Sequence, residues 1–61
     1  MSEINVEIGK KIRNFRKNQK MTIEELAKLI NKSKATVSKY EKGEIIMDIV
    51  TLYDIADVLQ L

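Results

Sequence analysis

The chain has 61 residues, 44% apolar and 33% charged, and it contains neither cysteine nor histidine. That is room for one small domain, burying only about 60% of the surface its unfolded chain exposes. It excludes disulfide staples, thiolate or imidazole metal sites, cysteine nucleophiles and a histidine base, so no metal and no cofactor is expected. A reducing cytoplasm is the expected compartment: MSEINVEIGKK has early acids and no apolar run, and nowhere do 18 apolar residues stand together as a membrane span would need. The net charge of +2 is unevenly spread. All eleven Lys and Arg lie between Lys10 and Lys42, with only Glu24, Glu25 and Glu41 among them, giving 11 − 3 = +8 there; the flanks hold Glu3, Glu7, Glu44, Asp48, Asp54 and Asp57, or −6. A basic middle between acidic ends is the footprint of a site for a polyanion.

Ile4, Ile8, Ile12 and Phe15 recur at intervals of four, four and three between basic residues, which predicts an amphipathic first helix over residues 4 to about 18. After NQK breaks the period, Thr22 and Glu25 form a capping box, with Met21 and Leu26 placed for a hydrophobic staple. Ile23, Leu26, Ala27 and Ile30 carry a short second helix, which ends where Asn31 tolerates a left-handed backbone and Ser33 starts a new cap. The third helix, Lys34 to Lys42, turns Val37 and Tyr40 inward and is closed by Gly43. Asp48 then caps a fourth, whose inward stripe is Ile49, Leu52, Ile55, Ala56 and Leu59 and which continues to Leu61. So short a turn between the second and third helices forces them to cross steeply, as in a helix-turn-helix.

Counting from Ile23, Ala27 is fifth, Asn31 ninth, Val37 fifteenth and Tyr40 eighteenth. A small residue lets the two helices approach, the ninth needs a permissive backbone, and the last two pin one helix on the other. With these residues, the stretch IGKKIRNFRKNQKMTIEELAKLINKSKATVSKYEKGE followed by TLYDIADVL resembles the lambda repressor, Cro and Xre family of DNA-binding domains. The resemblance covers nearly all of the chain beyond Asn5. It implies an all-α bundle of four to five helices forming one domain over residues 1–61, which in a longer regulator would be the N-terminal part. It also implies a sequence-specific regulator of repressor type, acting as a homodimer on palindromic double-stranded DNA.

In that family the helix over about residues 33–42 lies in the major groove. Carried over by position, Lys34, Ala35, Thr36, Ser38 and Lys39 are the base-reading candidates. A lysine can donate to guanine O6 and N7, a methyl group can touch thymine, and hydroxyls can meet bases or phosphates. Lys10, Arg13, Thr22, Lys32, Ser33 and Lys42 are the phosphate candidates. Relatives often carry glutamine where this chain has Ile23, which leaves Thr22 and backbone N–H groups as the anchors there. The resemblance also implies an ion pair between Arg16 and Glu41.

The stretch after Gly43 departs from the family, with Ile45, Ile46 and Met47 where polar residues are usual. Either they fold back over the core or they form a dimer contact. Enzyme chemistry is not expected: Glu24 and Glu25 diverge on a helix, no glycine-rich phosphate loop exists, and no nucleophile has a base. The competing expectation is a protein- or peptide-interaction module of the same fold, with 45–47 and the last helix as the partner surface.

Overall fold

In a computed structural model, which describes residues 3–60, four helices form the chain: α1 (Glu3–Asn18), α2 (Ile23–Leu29), α3 (Lys34–Lys42) and α4 (Ile49–Leu59). Leu61, expected at the end of the last helix, lies outside the described residues. The helix starts are built by short polar side chains. At α2 the Glu25 N–H donates to the Thr22 hydroxyl at 3.1 Å, while the Thr22 N–H donates to the Glu25 carboxylate at 2.9 Å, the reciprocal capping box. At α3 the Thr36 N–H donates to the Ser33 hydroxyl at 3.1 Å. Asp48 takes the cap position of α4 with extended backbone, but its side chain accepts no capping hydrogen bond; the Thr51 hydroxyl beside it holds its carboxyl below the usual range.

The first three helices end in one way. Lys20, Asn31 and Gly43 adopt left-handed backbone, at φ 56°, 59° and 73°. Around each of them the next N–H reaches back five residues: Met21 to Arg16, Lys32 to Ala27 and Glu44 to Lys39, at 2.9–3.1 Å. This satisfies carbonyls that a helix end leaves orphaned and reverses the chain within two or three residues. Tight reversals after α2 and α3 bring α2, α3 and α4 around one core of Ile12, Leu26, Ala27, Ile30, Val37, Ile55 and Leu59. Ile8, Met21, Ile23, Met47 and Val58 pack against it.

Two inward stripes differ from the sequence expectation. On α1 the buried residues are Gly9, Ile12 and Arg16, while Ile4 and Phe15 are exposed. The face is rotated because α3 lies directly on Gly9: a Cβ there would stand 2.5 Å from the carbonyl oxygens of Tyr40 and Glu41. On α4 the buried positions are Thr51, Ile55 and Leu59, four apart; Leu52 and Ala56 are half-buried and Ile49 is exposed. Thr51 takes an inward place on this helix, while Ile49, at the first helical position, turns to solvent.

Gly9 therefore sets the α1–α3 distance. In an exposed helix Gly→Ala gains about 1 kcal/mol through propensity. Gly9→Ala is expected instead to destabilise by at least about 1–3 kcal/mol, the typical cost of overpacking, read as a lower midpoint in thermal or urea unfolding.

Candidate nucleic-acid interface

α3 divides its residues cleanly. Val37, Tyr40 and Glu41 are buried, whereas Lys34, Ala35, Lys39 and Lys42 are exposed and Thr36 and Ser38 are half-buried. The inward set fixes the helix and its rotation; the outward set is what a ligand meets. The Ser33 hydroxyl also donates to that of Thr36 at 2.8 Å, so these two oxygens are already engaged with each other at the helix start. That leaves Lys34, Ala35 and Lys39 as the side chains projecting without such a tether to α3 itself.

Lys34 is not isolated. Its Nζ lies 3.6 Å from a Glu24 carboxylate oxygen, with both groups exposed. Together with Arg16, Thr22 and Ile23 they line an open cleft of about 460 Å³ between the starts of α2 and α3. The fold thus brings Thr22, a phosphate candidate, and Lys34, a base candidate, to one cleft. Lys10 sits elsewhere, beside Glu3, Val6 and Glu7 on the first turns of α1. Arg13, Lys32, Ser33 and Lys42 are all exposed. Of the eleven cations, Arg16 alone is buried, and the other ten are exposed and available to counterions or phosphate.

Arg16 is committed to the fold. Its Nε donates to Glu41 Oε2 at 2.6 Å and its Nη2 to Glu41 Oε1 at 3.1 Å, a two-pronged pair in which both side chains are nearly fully buried. The remaining Nη1 donates to the Met21 carbonyl at 2.8 Å, so one guanidinium ties α1 to the end of α3 and to the turn before α2. Planar forks suit this task because each N–H meets an oxygen in fixed geometry. No buried side-chain nitrogen or oxygen among the described residues lacks a partner.

Residues 12–61 match the helix-turn-helix family. The chain belongs to the Cro/C1-type helix-turn-helix proteins. A search of curated proteins finds no match. Membership makes this chain a DNA-binding regulator of that type, with α2 and α3 as the helix-turn-helix pair. No described helix is long and apolar enough to cross a membrane, and no described cluster of acids is arranged to hold a metal ion.

Three contributors escaped sequence reasoning. Gly9 carried no signal because a lone glycine in a helix pattern has many uses. Glu24 becomes a partner of Lys34 only once α2 and α3 cross. Gln19 donates from its side-chain amide to the Leu59 carbonyl at 2.6 Å, closing the end of α4 from the end of α1 across forty residues of sequence. The residues expected either over the core or at a dimer contact separate: Met47 packs against the core, Ile45 is half-buried, and Ile46 is exposed.

The two ion pairs differ in consequence. Removing Glu41 or Arg16 leaves a buried charge alone, so Arg16→Ala is expected to cost about 3–5 kcal/mol, enough to unfold much of so small a domain. Glu24→Ala, in an exposed pair, should change stability by less than about 1 kcal/mol. Circular dichroism melts of the two variants side by side check the contrast. The capping box gives a pH test. Hydrogen bonds from the Thr22 backbone and then its side chain hold the Glu25 carboxyl below its ordinary range. A depressed folded pKa means the contribution is present above the unfolded pKa and lost as pH falls through the folded one. Carboxyl NMR titration should place Glu25 below the ordinary glutamate range, and Thr22→Ala, which removes the hydroxyl but keeps the backbone N–H, should raise it part of the way back.

Proposed function

We propose that this chain is a repressor-like regulator that reads double-stranded DNA in the major groove with the outer face of α3, two copies occupying the halves of a palindromic site. The observation that carries this is the division of α3 itself. Val37, Tyr40 and Glu41 hold it against α1 and α2, and Lys34, Ala35 and Lys39 stand outward on a helix whose rotation is locked. Rigid presentation is what base reading requires, because hydrogen bonds to base edges tolerate little misplacement.

Lys34 and Lys39 donate to guanine edges, Ala35 meets a thymine methyl, and the hydroxyls of Thr36 and Ser38 reach bases or the adjoining backbone. Thr22, Ser33, Lys32 and Lys42 take phosphates around the α2–α3 corner, with Arg13 and Lys10 adding charge from α1. The ion pair with Glu24 keeps Lys34 from being fully free. Its ammonium exchanges a weak exposed carboxylate for a base edge, a small cost against a specific contact. Two α3 helices about 34 Å apart would enter successive major-groove faces, which explains why such proteins select inverted repeats. The action is occupancy of a site, with no chemistry and no cofactor.

Selection of bound duplexes from a random pool should yield an inverted repeat. Lys34→Ala and Lys39→Ala should each change the preferred base at one position per half-site, at about 1–3 kcal/mol of discrimination. Lys32→Ala should weaken all duplexes alike and flatten the logarithmic salt dependence by about one unit. Enrichment of no sequence at moderate salt, with binding equal across the pool, would remove sequence-specific regulation from this proposal.

A further inference from the structure

α4 is apolar on two sides. Eight of its eleven residues are apolar (Ile49, Val50, Leu52, Tyr53, Ile55, Ala56, Val58 and Leu59). Thr51, Ile55 and Leu59 occupy the buried side. On the opposite side stand Ile49 and Val50, then Tyr53, then Asp57 and Gln60, one turn apart along the helix. Ile49 is 81% exposed, Val50 63% and Tyr53 71%, and Ile46 in the preceding connection is 79% exposed. A surface helix ordinarily turns charged or polar residues outward, and a helix apolar all round is ordinarily covered all round. Four large exposed apolar side chains within eight residues therefore mark a contact surface.

Charge selects its occupant. From Gly43 to Gln60 the charged residues are Glu44, Asp48, Asp54 and Asp57, with no lysine or arginine among them. All four are exposed, and Asp54 and Asp57 flank or continue the apolar stripe on α4. DNA and an anionic membrane carry the same sign and are repelled. A second copy fits poorly too, since a twofold contact sets each patch against itself and would bring these carboxylates together without a cation from the same segment. A basic amphipathic helix satisfies both features: its apolar side covers Ile49, Val50 and Tyr53, and its lysines or arginines meet Asp54 and Asp57.

We propose that the outer face of α4, with Ile46, is a docking site for a basic amphipathic helix of another protein. Its residues lie on α4 and the connection before it, distinct from the outward residues of α3. The proposal does not depend on sequence-specific reading by α3.

The test uses the full chain, isotopically labelled, titrated with a helical peptide of leucine and lysine, and with the same peptide carrying glutamate in place of lysine. Expected with the lysine peptide are saturable shifts at Ile46, Ile49, Val50, Tyr53, Asp54 and Asp57, with Lys34 and Lys39 unmoved, and no binding of the glutamate peptide. Val50→Gln with Tyr53→Gln should weaken binding at least about tenfold, as loss of a tyrosine anchor does, at an unchanged melting temperature and unchanged retention on duplex DNA. Asp54→Asn with Asp57→Asn should weaken it several-fold and reduce its salt dependence. Equal binding of both peptides, or shifts confined to other surfaces, would overturn the proposal. So would a dimer in sedimentation that Val50→Gln with Tyr53→Gln dissociates, since a second copy would then cover the stripe. Failure to enrich any duplex sequence would instead count against the operator proposal alone.

Discussion

The position of α3 depends on how closely α1 can approach it. At Gly9 the two backbones meet with no room for a side chain, and seven residues along α1 Arg16 grips Glu41 with two nitrogens while its third holds the Met21 carbonyl. The pair lies almost wholly out of reach of water, its two side chains 8% and 5% exposed. Exclusion of water makes the pair strong and at the same time makes it hazardous to break, because either charge left alone in that environment has no solvent to answer it. In a chain with no disulfide and a core of seven buried side chains, this crossing fixes both the distance and the rotation of α3. Which residues of α3 look outward is decided there, at the opposite side of the helix from any ligand.

The chain reversals add the second constraint. Lys20, Asn31 and Gly43 all take left-handed backbone, though only one is glycine. For lysine and asparagine that conformation carries a steric penalty of the order of 1–2 kcal/mol, less for asparagine, and the reach-back hydrogen bonds at each site offset it. The benefit is short connections. With Ile30 to Ser33 as the whole link between α2 and α3, the two helices have no freedom to drift, and Thr22, Glu24 and Lys34 share a cleft. Capping hydroxyls do further work in the same place: Ser33 starts α3 and engages Thr36, so this helix begins with its backbone and its hydroxyls already ordered.

Charge and apolar surface are then distributed by segment. Ten exposed cations lie between Lys10 and Lys42, and the charged residues after Lys42, Glu44, Asp48, Asp54 and Asp57, are all acidic. The same small domain therefore offers two surfaces of opposite character, one suited to phosphate and one that repels it. Segregation of this kind keeps each surface from competing for the other's ligand, and it orients the domain as it approaches a polyanion.

Much of this was legible in the residues. The capping box at Thr22 and Glu25, the hydroxyl cap at Ser33, the left-handed Asn31 and Gly43, and the inward Val37 and Tyr40 are local matters, set by hydrogen bonds within four residues or by helical period, and spacing alone determined them. So did the family resemblance, which rests on that spacing and was answered by the match over residues 12–61. The geometry of the Arg16–Glu41 pair, the burial of Gly9 and Thr51, the exposure of Ile4, Phe15 and Ile49, and the reach of Gln19 to Leu59 were decided only by tertiary structure. Each involves a polar or minimal side chain turned inward, or an apolar one turned out, and periodicity counts only apolar residues. A glycine under a crossing helix and an arginine forked onto a buried carboxylate are as interior as leucine, but their partners lie on another helix, where sequence spacing has no view.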